Sequence, residues 1–498
     1  MKKPSIILLL ALSLNTFNVY SQEIVQKVEN AIDQKSIEAH LRFLASDELR
    51  GRMTGTAENE IAAKYIAEQL RSFGVKTAPA QDGYIQSVPL RKDVPAAKAT
   101  FSVEDTTIAQ WDQLLYFTTV NGEMTADIVY ANYALGDDLK SLDIEGKIVI
   151  ARAGAKGETN PRAFFGLSQQ KAQAVSEAGG KALIELYRSS ELPWSLLKNY
   201  LSGTKFSLEL NGGSDFTRGL INDADNYWVE YFSGKKKKQQ GKGTINIEGA
   251  ISETIEVPNV IGWVEGTDPK LKDEYLIISA HFDHVGVRQV PAGEDSIFNG
   301  ARDNAIGTTA LLTAAEFFAN NAQKRSIVFL ACNAEEVGLL GSRYYTDNPW
   351  FPLENAIFNF NNDGAGYNDK SKITVIGLER TTAESMIIEG AKAFGLEAIQ
   401  DPVPEQGLYD RSDNVNFAAK GVPAIDAAPG ATAFDEEVLK YYHQAADEAE
   451  SLDFGYLESF YKSYVYAAYL IMNATEKPFW KEGDKYEEAG KALYGIEE

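Results

Sequence analysis

His281-Phe282-Asp283 follows directly on an apolar run that ends at Ser279-Ala280. A run of that kind reads as a strand, and the carboxyl ends of strands are where α/β proteins place ligands. Asp283 falls two residues on, hence on the same side as His281. An imidazole that binds a metal through one nitrogen usually gives its other N–H to a carboxylate, so the spacing permits this pairing or a carboxylate poised nearby. The neighbouring His284 is not counted as a ligand. Asn299 to Gly307 is a glycine-bearing turn that opens a helix with Asp303 at its mouth; alone, that Asp would be an ordinary helix cap. The apolar strand Ile327 to Leu330 runs out into Glu335-Glu336, two adjacent carboxylates that repel each other unless a cation or a proton lies between them. Asp363 ends the apolar run Ile357 to Phe360 in the same topological position, and His443 arrives late, within Tyr441 to Asp447.

Each feature alone is weak, but His, Asp and Glu positions at successive strand ends make a set that chance assigns poorly. The donors are imidazole nitrogen and carboxylate oxygen with no thiolate, which suits zinc in a catalytic role. Five ligands and a spare carboxylate suit two ions about 3.5–4 Å apart that share one bridging carboxylate.

The elements that must position these residues are legible in the pattern. From Glu256 onward strand and helix alternate: Tyr275 to Ala280 (strand), Asn304 to Asn320 (helix), Ser326 to Ala334, Ala356 to Asn361 and Ile373 to Leu378 (strands), Thr382 to Phe394 and Leu457 to Met472 (helices). That alternation predicts an α/β fold with a mostly parallel mixed sheet flanked by helices. Ile37 to Leu44 and Glu58 to Phe73 read as amphipathic helices, the second ending at Gly74. From about Ser87 to Glu256 the texture is of short β-rich runs interrupted by one helix, Gln170 to Ala178, which reads as an inserted domain. Its Lys235 to Lys238 run, between Gly234 and Gly241, reads as a solvated hairpin tip. Met1 to Ser21 reads as a secretory leader cut before Gln22, from its basic start at Lys2 and Lys3 and the apolar stretch Ile6 to Leu14. The expected division is therefore 1–21 leader, 22–90 with 256–475 catalytic domain, 91–255 insertion and 476–498 an unassigned tail.

These motifs, in this order, resemble peptidase family M28, the dinuclear zinc exopeptidases that include bacterial leucyl aminopeptidases. The resemblance rests on His281 to Gly286, Gly300 to Gly307, Glu335 to Ser342, Asn362-Asp363 and Tyr442-His443, and reaches back to Ala45-Ser46-Asp47-Glu48-Leu49-Arg50-Gly51-Arg52. It implies two zinc ions per chain: His281 and Asp363 on one, Glu336 and His443 on the other, and Asp303 bridging both. It implies Glu335 as general base and Asp283 as the residue that holds and polarises the site without touching metal. Tyr409, Tyr441 and Tyr442 are candidates to assist the oxyanion or contact substrate. The insertion resembles a protease-associated (PA) domain through Gly146 to Val149 and Ala178 to Ile184. Two positions depart from the family pattern. Arg302 stands before the bridging Asp, where it is expected to point outward, and Asn414 stands where the family often has His.

The resemblance implies an exported aminopeptidase, periplasmic or secreted, acting on peptides and without a stable membrane anchor once the leader is cut. Two other readings share the scaffold: a zinc carboxypeptidase of the glutamate carboxypeptidase type, for which Arg302 and Arg411 would supply basic groups, and a receptor-like binding protein that has lost its metal. A glutaminyl cyclase is disfavoured, since its smaller chain lacks the insertion. Composition narrows the field further. The formal net charge of −23 and a pI near 4.8 exclude a nucleic-acid binder by electrostatics. One cysteine, Cys332, leaves no internal disulfide to form.

Overall fold

The computed structural model describes residues 22–117, 120–158, 161–188, 192–208, 216–234 and 241–496; the leader at 1–21 and the lysine run at 235–238 lie outside the described residues. The chain divides into two compact units, one made of the residues up to Val88 together with those from Glu256 onward, the other of Pro89–Ile255.

The first unit carries the expected α/β architecture. Its strands are β1 (Ile251–Val264, belonging here from Glu256), β2 (Tyr275–His281), β3 (Ser326–Cys332), β4 (Ala356–Asn361), β5 (Lys372–Ile376), β6 (Glu397–Ile399) and β7 (Ala424–Pro429). They lie in the order β6-β5-β7-β4-β2-β3-β1. The centre, β7-β4-β2-β3, is parallel throughout, and antiparallel pairing enters at β7 with β5 and at β3 with β1. A parallel strand buried on both faces needs apolar residues at every position, and these have them. In β2, Leu276, Ile278 and Ala280 enter one core while Tyr275 and Ile277 enter the other; in β3, Phe329 and Ala331 oppose Val328 and Leu330.

Helices cover both faces. The larger core takes α1 (Gln34–Leu44), α2 (Ala57–Phe73), α3 (Ile306–Asn320), α5 (Glu384–Ala393) and α7 (Phe454–Asn473); the other takes α4 (Leu340–Asp347) and α6 (Asn414–Ala419). Local chemistry sets their ends. Asp33 accepts the Lys35 and Ser36 N–H groups at the start of α1, Thr56 accepts the Asn59 N–H in α2, and Gly74 at φ 83° closes α2 in the left-handed conformation. The helix expected from Asn304 begins instead at Ile306, because Ala301–Ala305 forms a separate irregular turn. The tail beyond residue 475 is also part of the fold: α8 (Glu487–Tyr494) follows Trp480, which is buried, and Trp480 and Tyr486 both lie near the Arg380 guanidinium.

The second unit is built on an eight-stranded sheet in which one half pairs antiparallel and the other half, Gly122–Tyr130, Ile148–Arg152, Ala182–Tyr187 and Thr217–Asn222, pairs parallel. The expectation of a single helix there fails. Pro161–Glu177 is longer than the apolar spacing suggested, and Trp194–Ser202 and Tyr227–Gly234 are helical as well. Their aromatic residues suit a strand as well as a helix, so only packing decides between them. At the centre of this unit Lys171 Nζ lies 2.9 Å from Glu185 Oε1 with both side chains buried, and Ser168 donates to the same carboxylate.

Candidate metal centre

Strands β4, β2 and β3 are adjacent and parallel, so their carboxyl ends emerge together and bring Asp363, His281 and the Glu335-Glu336 pair to one edge. Asp303 reaches this edge from the turn before α3. That turn depends on glycine at two points. A Cβ on Gly300, at φ 62°, would lie 2.3 Å from the Asp303 carbonyl and 2.5 Å from the His284 ring, and one on Gly307 would lie 2.1 Å from the Asn362 carbonyl.

The side chains form two groups that meet at Asp303. In the first, His281 Nε2 lies 3.1 Å from Asp363 Oδ1, 3.3 Å from Asp303 Oδ1 and 4.0 Å from Glu335 Oε2. In the second, His443 Nε2 lies 3.0 Å from Asp303 Oδ2 and 3.2 Å from Glu336 Oε2. The two oxygens of Asp303 thus face opposite groups. His284, set aside in the sequence, belongs to the second group: its Nδ1 lies 2.7 Å from Glu336 Oε1.

Electrostatics supports a cation here. Burial alone would raise the Asp303 carboxyl, but contacts from His281 and His443 outweigh it and hold its pKa well below the usual value. His443 responds in the opposite direction: burial lowers it, yet Asp303 and Glu336 raise its pKa to about 10. The carboxylates therefore draw positive charge onto whatever lies among them. Both ring nitrogens of His284 and Glu336 Oε1 are buried without a hydrogen-bond partner. Imidazole nitrogens and carboxylate oxygens converging from two sides, with no thiolate, fit zinc.

Of the two arrangements the His-x-Asp spacing permits, the structure has the Asp283 carboxylate poised nearby. His281 Nδ1 donates 3.1 Å to the Asp283 backbone carbonyl, while the carboxylate lies 3.7 Å away. That carboxylate, fully buried, accepts the backbone N–H groups of Glu335 and Glu336 at 3.1 and 3.3 Å and the Thr54 hydroxyl at 2.9 Å. Asp283 fixes the turn that carries the glutamate pair. Glu335 itself has its pKa pushed well above the usual value, first by burial, and further by Asp363, Asp413 and Glu336 against the opposing effect of His281.

A cavity of about 400 Å³ opens beside these residues, lined also by Ile376, Leu408, Arg411, Asp426, Phe434 and Val438. The three tyrosines separate clearly. Tyr409 is buried and donates its hydroxyl to the Ala424 carbonyl at 2.9 Å, and Tyr441 lies under the Arg302 guanidinium at 3.5 Å. Neither lines the cavity. Tyr442 does, with its ring stacked on His443 at 4.2 Å and its hydroxyl accepting from Arg411 at 3.2 Å. Arg302 turns away from the carboxylate group, the outward direction expected, but it is buried, donating to Asp447 and Ser451. Asn414 is buried, donates to the Tyr409 carbonyl and does not line the cavity.

Sequence reasoning missed three buried contributors. Arg52 places its guanidinium on the carbonyls of Leu44, Phe282, Asn299 and Gly300, gathering the segments that carry His281 and Asp303. Asp413 accepts from Ser342 at 2.5 Å, and burial lifts its pKa to about 6. Asp426 lines the cavity and accepts from Asn361 at 3.0 Å. Arg52 lies inside a motif already singled out and Asp413 precedes Asn414, but nothing in their spacing reveals which way they turn.

A parallel-centred α/β sheet with His and carboxylate groups at adjacent strand ends defines a candidate metal centre of the catalytic type, with nitrogen and oxygen donors. Residues 259–468 match Peptidase family M28. It is 26% identical over 312 residues to Aminopeptidase YwaD of Bacillus subtilis, covering 62% of this chain and 61% of that protein. It is 33% identical over 156 residues to the Vacuolar membrane protease of Kluyveromyces lactis, covering 31% of this chain and 15% of that protein. The chain thus spans less than two thirds of the length of either relative. In fold it is similar to the aminopeptidase from Aneurinibacillus sp. strain AM-1, with a TM-score of 0.57 and 20% identity over 90% of this chain and 95% of that one.

Proposed function

We propose that this protein is an exported dinuclear zinc aminopeptidase that removes N-terminal residues from peptides. The observation that carries the reading is Asp303, whose Oδ1 faces His281 and whose Oδ2 faces His443, as a carboxylate shared by two ions must. His281 and Asp363 would hold one zinc, Glu336 and His443 the other, with Asp303 common to both. Zinc bound there would supply Lewis acidity towards a peptide carbonyl and lower the pKa of water. Glu335, beside the pair and with a pKa raised by burial, takes a proton from the attacking water at its carboxylate and returns it to the leaving amine. Asp283 keeps that carboxylate aimed by holding the backbone N–H of Glu335. Tyr442, on the cavity wall, is placed to contact the substrate carbonyl. The name of the YwaD relative, an aminopeptidase, supports the same reading.

The leader-like residues 1–21 support export, and among the described residues no helix is long and apolar enough to cross a membrane. The unit at Pro89–Ile255 is assigned as PA-like on its sequence motifs. One observation favours a second reading: Arg411 lines the cavity and could receive a C-terminal carboxylate, as a carboxypeptidase requires. Arg302, spent on Asp447, adds nothing to it.

The test is hydrolysis of peptides with free and with acetylated N-termini, before and after a chelator and after added zinc. Cleavage of free-amine peptides alone, lost with chelator and regained with zinc, is expected. Cleavage of acetylated peptides from the C-terminus would move the carboxypeptidase reading ahead, and absence of any metal-dependent cleavage would refute both.

A further inference from the structure

His284 is the one histidine near the centre that the ligand scheme leaves without a task. It is buried at 1% exposure, and its ring is wedged in place: a Cβ on Gly300 would lie 2.5 Å from it, and its backbone N–H is bonded to the Arg52 carbonyl. Its Nδ1 lies 2.7 Å from Glu336 Oε1, whereas the other carboxylate oxygen, Oε2, lies 3.2 Å from His443 Nε2. Glu336 therefore turns one oxygen towards the other donors and the other oxygen towards His284.

Distance separates two roles for this imidazole. Two donors bound to one zinc at about 2.0–2.1 Å with a tetrahedral angle lie roughly 3.3 Å apart. The pairs made by His281 and His443 with Asp303, Asp363 and Glu336, at 3.0–3.3 Å, fit that spacing. His284 and Glu336, at 2.7 Å, are closer than co-ligands and at the length of a charge-assisted N–H···O bond. The contact meets that bond in length though not in angle, and neither atom has another hydrogen-bond partner. To Asp303 Oδ2, the next donor, His284 Nδ1 stands 4.0 Å away.

We propose that His284 is a positioning residue for Glu336: its Nδ1–H holds Oε1, so that Oε2 faces the metal position shared with His443 and Asp303. The proposal rests on the dinuclear reading above. A carboxylate ligand that is itself hydrogen-bonded keeps its orientation, and loss of such outer partners typically weakens metal affinity or activity 10–100-fold, as an order of magnitude.

The test uses the full chain stripped of metal and titrated with zinc against a competing chromophoric chelator, with the visible spectrum of the cobalt-loaded protein as a second readout. His284→Leu keeps the bulk and removes the donor. His284→Asn places an amide N–H near the position of Nδ1. The expected result is that H284L folds, binds one of its two zinc ions about 10–100-fold more weakly and shifts the cobalt spectrum, while H284N restores both affinity and spectrum. Unchanged affinity and spectrum in H284L would overturn the proposal, and so would complete loss of one ion in both variants, which would make His284 a ligand. If H284L fails to fold, H284N carries the test: affinity and spectrum like the unmodified protein uphold the proposal, and a lost ion overturns it. Failure of the unmodified protein to take up zinc would overturn the proposed function itself and is distinguishable from all of these.

Discussion

Replacing Glu335 by Gln separates the proposed base from the proposed metal ligands. Glu335 Oε2 stands 4.0 Å from His281 Nε2, beyond the 3.0–3.3 Å of the pairs assigned to zinc, so the amide should leave the ligand set intact. The backbone is held independently of the side chain, through the Asp283 carboxylate on the Glu335 N–H at 3.1 Å. The substitution therefore removes a proton acceptor and little else. General acid–base groups contribute about 10²–10⁴ in rate, or about 3–5 kcal/mol of barrier. E335Q should bind zinc with unaltered stoichiometry, keep its KM within a few-fold and lose kcat by that factor. The pH profile adds a second reading. The base works only when ionised, so kcat/KM of the unmodified enzyme should rise with pH through that group. In E335Q this acid limb should disappear. Metal analysis with steady-state kinetics on a free-amine peptide decides the matter: metal-replete E335Q within tenfold of the normal rate, with the acid limb retained, would refute the assignment of the base.

If two zinc ions are bound as proposed, Asp303→Asn, which removes the negative charge shared by the two groups and one of its oxygens, should weaken both, whereas His443→Ala should weaken one; equilibrium dialysis against zinc distinguishes the cases. His40, buried and bonded to the Tyr65 hydroxyl, has its pKa lowered by burial from 6.5 to about 4. Its neutral form is the one the fold holds, so its contribution is complete above pH 6.5 and falls away as pH drops towards about 4, by about 3 kcal/mol in all. Urea melts between pH 7 and pH 4 should show that slope, flattened in His40→Leu. In the second unit, Lys171→Met leaves the buried Glu185 carboxylate uncompensated and should cost about 3–5 kcal/mol, while Lys171→Met with Glu185→Leu should recover much of the loss. Thermal unfolding followed with the two variants side by side checks this, and equal destabilisation by both would contradict it.

The placement of the candidate residues was legible in the sequence where it depended on residue type and on strand ends. His281, Asp363 and the Glu335-Glu336 pair close apolar runs, and a run buried on both faces is a strand whose exit point is fixed by its length. Parallel pairing then brings those exits together, so the candidate set could be written down before any coordinates. The helices of the second unit escaped because aromatic and β-branched residues fit either element until packing chooses. What the sequence could not determine was direction. Arg302 stands beside Asp303 in the chain, yet it turns onto Asp447, 145 positions later. Asp283 shares a side with His281, yet its carboxylate serves the Glu335-Glu336 turn on the neighbouring strand. His284 meets Glu336, and Arg52 gathers carbonyls from segments up to 248 positions away. The physical reason is the same in each case. A buried polar group must find partners wherever the fold brings them within about 3 Å, and that set belongs to the packing of distant segments, not to the spacing along the chain.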